Sequence, residues 1–369
     1  MCQELNCKSC QRNDSVSVIL KLVDYCNFDC DFCRYPHNKY PNTMSFDTYK
    51  IIVTKACEYN ISQGNNRLSI IYHGGEPLLW GIDLFKRAIK FQNELKKKNP
   101  KLAFRNSIQT NGSLLNQEYI EFFKMNHFNI GISIDGPDEI NFHKNDAGNH
   151  IVFENMKKLH EAGCSFGILS VITNEHAGWA DRYYDFLMEN DIHSLGFCYC
   201  IYDEEKQETV KNEVLSEFLK RFFDRYFYGT YKLSVREFDS VVKLCLGAKT
   251  NACTYSYRSG CGNYFSIRPD GDVLFCDPYT LGKKALGNIL NCSFFDIKQN
   301  PELLGIIEDA KNSITKVCNK CEIYAICGGG CYRNLFGGET NAFCTTFKVL
   351  YPYIKDTVSR SMQEDKSYM

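Results

Sequence analysis

The sequence predicts an α/β protein in which a parallel sheet wrapped by helices, of the partial (β/α)6 barrel type, precedes a cysteine-rich domain. Three observations support this fold class. Strand and helix patterns alternate from about residue 16 to 200, as is typical of parallel α/β architectures. Six such repeats are too few for a closed eight-stranded barrel. After residue 205 the alternation stops, and most of the grouped cysteines follow.

Each predicted strand is a short run of β-branched or aromatic residues that ends in turn residues. The six strands are expected within residues 17–23, 68–77, 105–112, 129–137, 166–173 and 194–200. Helical patterns between them include 46–61, 81–98 and 151–163, the last ended by a glycine. In parallel α/β folds, chemistry sits at the carboxyl ends of the strands. We therefore expect functional residues in the segments that follow the first four strands.

The second half of the chain is built differently. Apolar residues at helical spacing predict an amphipathic helix over 214–229, and an Asp-Gly turn between alternating arms predicts a β-hairpin over 264–276. Beyond the hairpin there is little apolar periodicity, so bound metal must supply much of the folding energy there. These patterns divide the chain into four parts. They are a tail (1–15), a partial barrel (16–230), a bridging helix (231–250) and a cysteine-rich domain that ends in a helix (251–369).

Composition limits the partners of the protein. The 369 residues can bury a large core, and 44% hydrophobic and 24% charged residues are ordinary globular values. A formal net charge of −1 gives no electrostatic reason to bind nucleic acid or an anionic membrane. The chain has no apolar run long enough to span a bilayer, and its polar start lacks the apolar core of a signal peptide. We therefore expect a cytoplasmic protein, whose thiols stay reduced.

The 20 cysteines are unevenly spread along the chain. Eleven fall into spaced groups, and grouped thiols in a reducing compartment indicate metal or iron–sulfur ligands. Most of the others are expected to be small core residues, since free cysteine is among the most buried residue types. The N-terminal tail leaves two alternatives open, another metal site or a mobile segment with no further role. Its thiols are Cys2, Cys7 and Cys10.

The first group, Cys26, Cys30 and Cys33, has the spacing CxxxCxxC. It fits a zinc site that lacks one ligand, a chance cluster, or three corners of a 4Fe–4S cluster, since both metals take thiolates tetrahedrally. Its expected position at the carboxyl edge of the sheet favours the iron–sulfur cluster. With three protein ligands, one iron stays open to a small molecule.

This group, with Phe32 directly before its last cysteine, resembles the signature of radical S-adenosylmethionine (SAM) enzymes. The resemblance implies that the open iron chelates the amino and carboxylate groups of SAM, and that the reduced cluster cleaves SAM to a 5′-deoxyadenosyl radical. Residues 72–77 look like the family's Gly-Gly-Glu motif. There the Glu76 carboxylate would accept a hydrogen bond from the methionine ammonium, and the two glycines would let the backbone approach the ligand closely.

The resemblance implies further positions that line the cofactor or substrate pocket after the second, third and fourth strands. All the positions it implies are Tyr72, His73, Gly74, Gly75, Glu76, Gln109, Thr110, Asn111, Ser133 and Asp135. For those after the third and fourth strands, turn chemistry at the strand ends is the alternative explanation.

The C-terminal cysteines have a spacing that resembles the seven-cysteine pattern of the SPASM domain, an extension found in peptide-modifying radical SAM enzymes. With Cys253 added, eight thiols would hold two further 4Fe–4S clusters, for three in all. On the family pattern, the inner group is Cys253, Cys261, Cys276 and Cys331. The outer group is Cys318, Cys321, Cys327 and Cys344. A pair of structural zinc ribbons is the alternative.

The SPASM resemblance implies a peptide or protein substrate and a reductant such as flavodoxin or ferredoxin. We expect, first, a radical SAM maturase that oxidises or cross-links a Cα or Cβ of a ribosomally made peptide. The alternative is an anaerobic sulfatase-maturating enzyme that converts Cys or Ser to formylglycine. A non-catalytic metal-binding or electron-transfer protein comes last, because a carrier needs no open iron.

Individual residues favour one or the other enzyme. Tyr35, the RxFD run at 236–239 and Asp277 resemble sulfatase-maturating enzymes, which implies catalytic roles for Tyr35 and Asp277. Asp277 would suit a general base, or alternatively a hairpin-end backbone cap. His73, where those enzymes typically have glutamine, and the altered segment 138–146 favour a peptide maturase. We expect no leader-recognition domain in the short segment before the first cysteine group, although peptide maturases often carry one; some maturases lack it, so a peptide maturase is not excluded.

Overall fold

The computed structural model describes residues 15–30, 33, 42–140, 146–201, 209–250, 261–276, 284–331, 334 and 340–367. The strands in these ranges are β1 (Ser17–Lys21), β2 (Arg67–His73), β3 (Ala103–Thr110), β4 (Asn129–Ser133), β5 (Phe166–Ile172), β6 (Ser194–Tyr199), β7 (Ser234–Val235), β8 (Tyr264–Ile267), β9 (Asp272–Phe275) and β10 (Gly287–Asn288). They form one sheet in the order β10-β9-β8-β1-β2-β3-β4-β5-β6-β7.

The helices alternate with the strands in the first half and cluster in the second. They are α1 (Phe46–Ser62), α2 (Ile82–Lys98), α3 (Gln117–Met125), α4 (Asp146–Glu161), α5 (Ala180–Glu189), α6 (Asn212–Tyr228), α7 (Arg236–Cys245), α8 (Phe294–Lys298), α9 (Pro301–Cys318), α10 (Tyr324–Cys327) and α11 (Cys344–Ser367). Within the described residues, no helix is both long and apolar enough to cross a membrane.

Strands β1 to β7 run parallel, and each pairs with the next along the chain. Alternate residues of β2 are buried (Leu68, Ile70 and Tyr72), and they face α1 and α2. This burial of one strand face against helices is the packing that the alternating sequence pattern predicts. The predicted α/β fold class, with a parallel sheet that does not close into a barrel, is confirmed.

The predicted hairpin over 264–276 is present as β8 and β9. At its turn the Gly271 N–H donates to the Arg268 carbonyl oxygen (3.0 Å), and Gly271 has φ 93°, a conformation that favours glycine. The hairpin pairs in parallel with β1, where the Ser17 N–H donates to the Asn263 carbonyl oxygen (2.7 Å). The cysteine-rich region therefore extends the sheet of the first half at its β1 edge.

The C-terminal helix closes the other side of the fold. α11 lies along α6, where the Asn212 Oδ1 accepts from the Thr346 N–H (3.1 Å) and its hydroxyl (2.8 Å). Within α11 the rings of Phe347 and Tyr351 stack on each other, and Tyr199 at the end of β6 packs against Phe347. The C-terminal helix thus shares one continuous core with β6 and α6.

Candidate active site

Four loops meet at the carboxyl edge of the sheet, as the parallel topology predicts. Strands β1, β2, β3 and β4 end at Lys21, His73, Thr110 and Ser133, and the predicted motifs follow directly. Neighbouring parallel strands end side by side, so the first cysteine loop, the Gly-Gly-Glu motif and the segment around Asn111 become neighbours. The hydrogen bonds between these loops define the candidate site.

The two glycines of the Gly-Gly-Glu motif pack against the backbone of the first cysteine loop. The Gly75 N–H donates to the Val23 carbonyl oxygen (2.9 Å). A Cβ on Gly75 would lie 1.8 Å from the Tyr25 oxygen, and a Cβ on Gly74 would lie 2.4 Å from the Val23 oxygen. The sequence explanation for these glycines was close approach to a ligand. In the structure, the approach that excludes a side chain is to the cysteine loop itself.

Glu76 is fully buried and joins the ends of β2 and β3. Its Oε1 accepts from the Leu78 N–H (2.9 Å) and the Thr110 hydroxyl (2.7 Å), and its Oε2 accepts from the Asn111 N–H (2.8 Å). Burial raises the pKa of the carboxyl to about 7, although all three hydrogen bonds oppose the shift. Glu76 therefore fixes the loop after β3, and its contact with a methionine ammonium stays a prediction.

The Asn111 side chain joins the loop after β3 to the first cysteine loop. Its Oδ1 accepts from the N–H and the hydroxyl of Ser113 (2.9 and 2.7 Å). Its Nδ2 donates to the Asn27 Oδ1 (3.0 Å) and lies 3.6 Å from the Cys26 Sγ. Asn27 and Ser113 are not among the residues predicted from the sequence, although Asn27 stands between the first two cysteines.

The thiols of the first group lie in a compact loop. The Cys33 N–H donates to the Cys30 carbonyl oxygen (2.9 Å), and the Phe28 N–H donates to the Cys26 Sγ (3.4 Å). Burial raises the pKa of Cys26 to about 11, and the nearby Glu76 and Cys33 add to the increase. A thiol with a raised pKa must lose its proton to bind metal, so metal binding at this site is coupled to proton release.

The face of the sheet opposite α1 and α2, called the open face below, carries polar side chains and glycines. The Gln109 Nε2 donates to the Ser133 Oγ (2.9 Å), and the Gln109 Oε1 lies across Gly131, where a Cβ would be 2.3 Å away. An open cavity runs along this face from β3 to the start of α7. Its lining includes Ser107, Gln109, Gly131, Gly167, Gly196 and Arg236.

Two predicted pocket residues point elsewhere. Tyr72 is fully buried on the helix side of β2, and its hydroxyl contacts the Tyr49 hydroxyl (3.0 Å) and the Gln92 Nε2 (3.0 Å). Strand alternation causes this, because consecutive residues face opposite sides of a sheet. Asp135 is also fully buried, and its Oδ1 accepts from the Val171 N–H (2.8 Å). This bond joins the loop after β4 to β5, so it is a tertiary contact and not the local turn contact of the alternative explanation.

The open face also buries a lysine that is not among the predicted site residues. Lys21, at the end of β1, is only 2% exposed, and its Nζ lies 3.4 Å from the His73 Nδ1. The same Nδ1 accepts from the Gly74 N–H (2.8 Å), which places the ring proton on Nε2. The sequence signal for Lys21 was a single cation within the otherwise apolar run SVILKLV.

The four thiols of the predicted outer group line one cavity. Burial raises the pKa of Cys327 to about 12, with further increases from the other three thiols of the group. Burial and two of the same neighbours also raise the pKa of Cys318. The structure therefore brings together the four cysteines that the family pattern groups: Cys318, Cys321, Cys327 and Cys344.

The inner group is only partly described. Cys261 and Cys276 lie at the open end of the β8–β9 hairpin, where the Cys276 N–H donates to the Tyr264 carbonyl oxygen (3.2 Å). Cys331 follows three glycines with positive φ and accepts from the Asn341 Nδ2 (3.4 Å) through its carbonyl oxygen. Predicted residues outside the described part are Cys2, Cys7, Cys10, Phe32, Tyr35, Cys253 and Asp277.

The donor chemistry of these sites fits iron–sulfur clusters better than hard metals, since the grouped ligands are thiols. Within the described residues, no three Cys, His, Asp or Glu side chains converge on a position for a single metal ion. The assignment to iron–sulfur clusters therefore rests on the donors themselves. Four thiols line one cavity, and three thiols lie on one loop beside the Asn111 amide.

Comparison with known families decides the class of the protein. Residues 20–187 match the Radical SAM superfamily, and residues 260–322 match SPASM, an iron–sulfur cluster-binding domain. The chain is a radical SAM enzyme with a SPASM domain. The two domains imply bound 4Fe–4S clusters and SAM as cofactor.

Relatives with known activity match over most of the chain. The Cysteine-type anaerobic sulfatase-maturating enzyme of Clostridium perfringens (strain 13 / Type A) is 28% identical over 353 residues, which cover 89% of this chain and 93% of the relative. The Serine-type anaerobic sulfatase-maturating enzyme of Bacteroides thetaiotaomicron is 26% identical over 339 residues, 84% of this chain and 81% of the relative.

Solved structures show the same relationship. Native anSMEcpe with bound AdoMet and Cp18Cys peptide superposes with a TM-score of 0.81 at 26% identity, over 94% of this chain and 99% of that chain. Streptococcus suis SuiB bound to precursor peptide SuiA gives a TM-score of 0.63 at 19% identity, over 90% of this chain and 75% of that chain. The second likeness shows a shared fold.

Proposed function

We propose that this radical SAM enzyme is an anaerobic sulfatase-maturating enzyme, which converts a Cys or Ser side chain of a protein to formylglycine. The end-to-end likeness to native anSMEcpe with AdoMet and a Cys-containing peptide carries the proposal. The likeness to SuiB is weaker and concerns the fold alone. We therefore prefer the sulfatase-maturating enzyme, the alternative in the sequence analysis, to the ribosomal-peptide maturase.

The position of His73 removes one argument against this function. His73 stands where sulfatase-maturating enzymes typically have glutamine, and by sequence alone this departure favours a peptide maturase. In the structure the ring Nδ1 acts as an acceptor for the Gly74 N–H and faces the Lys21 ammonium. A glutamine carbonyl oxygen can accept the same two hydrogen bonds, so histidine can take the place of glutamine here.

The carboxyl edge supplies the sites for the cofactors. When bound, SAM and the reduced cluster supply a radical that can take hydrogen from an unactivated carbon. Cys26, Cys30 and Cys33 would hold the cluster, and SAM would lie between the Gly-Gly-Glu motif and the Gln109–Ser133 pair. Because these side chains are fixed by hydrogen bonds within the fold, little reorganisation would accompany binding.

The open face would receive the substrate peptide. Its glycines leave space for a main chain, and the Ser and Gln side chains along it can hydrogen-bond peptide groups. Formylglycine formation removes two electrons and two protons from Cys or Ser. One hydrogen atom would go to the SAM-derived radical, the remaining proton to a base, and the second electron to an auxiliary cluster. For Cys, water then replaces the sulfur, which leaves as hydrogen sulfide. We propose Asp277 as the base that takes the side-chain proton.

We further propose that the two C-terminal groups hold two 4Fe–4S clusters, for three per chain. In this proposal residues 16–230 form the radical SAM part and residues 251–369 hold the auxiliary clusters. The grouping of the four outer thiols around one cavity supports this division. A cytoplasmic flavodoxin or ferredoxin would supply electrons, in a compartment that keeps the ligand thiols reduced.

Anaerobic turnover with matched peptides tests the function. Three peptides of one sulfatase-derived sequence would carry Cys, Ser or Ala at the target position, with SAM and a reductant present. Mass spectrometry after hydrazide capture should find an aldehyde with Cys or Ser and none with Ala. The triple variant C26A/C30A/C33A should form no aldehyde and no 5′-deoxyadenosine.

Two results would overturn the proposal. One is full SAM cleavage with no aldehyde from either the Cys or the Ser peptide. The other is a two-hydrogen loss with a new linkage in a short precursor peptide, which would restore the peptide-maturase function.

A further inference from the structure

The amide of Asn111 has only one orientation that satisfies its neighbours. The Ser113 backbone N–H can only donate, so the atom 2.9 Å from it must be the Asn111 oxygen. The Nδ2 then faces the Asn27 Oδ1 at 3.0 Å and the Cys26 Sγ at 3.6 Å. Each of its two N–H groups has one acceptor, and one acceptor is the thiol sulfur.

A closed ring of hydrogen bonds keeps this orientation. The Asn27 Nδ2 donates to the Ser113 Oγ (2.9 Å), that hydroxyl donates to the Asn111 Oδ1 (2.7 Å), and the Asn111 Nδ2 returns to the Asn27 Oδ1. The Asn111 backbone is held separately, because its N–H donates to the buried Glu76 carboxylate (2.8 Å). Asn111 itself is largely buried, so water does not compete freely for its amide.

We propose that Asn111 is a positioning residue that raises the reduction potential of the cluster on the first cysteine loop by donating a hydrogen bond to the Cys26 sulfur. The inference rests on the proposed cluster site and is independent of the substrate. Reduction adds one electron, and part of the added charge falls on the cysteine sulfurs. An N–H donor therefore stabilises the reduced cluster more than the oxidised one.

The potential of this cluster is the quantity to measure. Anaerobically reconstituted full-length enzyme is titrated with dithionite and followed by electron paramagnetic resonance. The signal that changes when SAM is added identifies the first cluster among the others, and C26A/C30A/C33A should lack it. Asn111→Ala removes the N–H donor to Cys26 without adding charge. Asn111→Asp removes the same donor but keeps a side-chain oxygen that accepts from Ser113.

The proposal expects a more negative midpoint potential in both Asn111 variants, with the larger shift in Asn111→Asp because it adds a negative charge. Asn129→Asp is the matched control. Asn129 begins β4 at the opposite edge of the sheet and its Nδ2 donates to the Asn106 carbonyl oxygen (3.2 Å), so the same substitution there should leave the potential unchanged.

Two outcomes would overturn the proposal. An unchanged potential in cluster-loaded Asn111→Ala would show that the hydrogen bond has no effect on it. A shift in Asn111→Asp alone would assign the effect to charge.

Should neither variant load a cluster, the wild-type enzyme itself gives the answer. With 15N placed at the asparagine side-chain amide, pulsed paramagnetic resonance should detect a coupling between Nδ2 and the reduced cluster. The Asn27 Nδ2 donates to the Ser113 hydroxyl, so of these two amides only that of Asn111 donates to the thiol sulfur. Absence of any asparagine coupling would overturn the proposal.

Discussion

The Lys21 Nζ lies 3.4 Å from the His73 Nδ1 at the ends of two adjacent parallel strands. Lys21 is buried, and its register partner across the β1–β2 pair is His73, so both side chains project from the same face of the sheet. A buried ammonium is tolerated where acceptors surround it. His73 is one such acceptor, and this gives the residue before the two glycines a structural role.

The first prediction concerns this pair. Leucine at position 73 would remove the acceptor for the Gly74 N–H and one acceptor for the Lys21 ammonium, whereas glutamine would keep an acceptor oxygen there. We expect His73→Leu to lower the free energy of unfolding by about 1–3 kcal/mol, the usual cost of removing a buried hydrogen-bond partner. His73→Gln should stay close to wild type. Anaerobic urea unfolding of the cluster-loaded protein measures both, and equal stability of the two variants would refute the role of His73 as acceptor.

The second prediction concerns Gly75. A methyl group there would lie 1.8 Å from the Tyr25 carbonyl oxygen, so Gly75→Ala must displace the first cysteine loop. We expect this variant to lose the SAM-responsive cluster signal and to retain iron in the C-terminal sites. Iron analysis and paramagnetic resonance would show the difference.

Gly305 provides the control for Gly75. It lies in α9, and a Cβ added there would meet no atom within 4 Å beyond the backbone of its own helix, so Gly305→Ala should load all clusters. It should also gain stability, by about 1 kcal/mol from helix propensity. A complete set of clusters in Gly75→Ala would contradict the packing argument.

Much of the fold could be predicted because its determinants are local. Short runs of β-branched and aromatic residues predict the strands, and turn residues predict where they end. An Asp-Gly pair predicts the β8–β9 hairpin. The pairing of β8 with β1 could not be predicted in this way, since the two strands lie far apart in the chain and no local pattern links them. One hint was present: β1 is apolar on both faces, as expected for an interior strand.

The candidate site was predicted to the level of its loops and not of its hydrogen bonds. Parallel topology alone places the motifs at one edge, which is why the first cysteine loop, Glu76 and Asn111 meet as expected. Tyr72 faces the helix side of β2 and not the pocket, because consecutive strand residues face opposite sides of the sheet. The burial of Glu76 and the partnership of Asn27 with Asn111 depend on tertiary packing, which single-sequence patterns do not encode.

The third prediction concerns the outer cysteine group. Cys327 lines one cavity with the other three thiols of its group, so Cys327→Ala should abolish one cluster and lower the iron content by the iron of that cluster. Because metal supplies folding energy in a region of little apolar periodicity, we also expect faster proteolysis of the C-terminal segment.

Cys292→Ala is the matched control for Cys327→Ala. Cys292 is half-buried, lies outside all three groups and donates from its thiol to the Asn288 carbonyl oxygen (3.0 Å). Its replacement should leave the iron content unchanged. Equal iron in the two variants would remove Cys327 from the ligand set.

The last prediction is a pH dependence that comes from Glu76. Burial raises the pKa of its carboxyl from 4.5 to about 7 in the folded protein. Between these values the folded state binds more protons than the unfolded state, so stability falls as the pH rises from about 4.5 to about 7. The loss is roughly 3 kcal/mol, since one pKa unit corresponds to about 1.4 kcal/mol.

Glu76→Gln has no such proton to release, so its stability should lack this component of the pH dependence. We expect the wild type to lose stability relative to Glu76→Gln as the pH rises through this range, measured by anaerobic urea unfolding at several pH values. Asp83→Asn, which removes an exposed carboxylate on α2, controls for the change in net charge. Parallel curves for wild type and Glu76→Gln would mean that the folded carboxyl ionises at its ordinary pKa. The hydrogen bonds from Leu78, Thr110 and Asn111 would then offset the whole effect of burial, and Glu76 would be a permanent anion beside the cysteine loop.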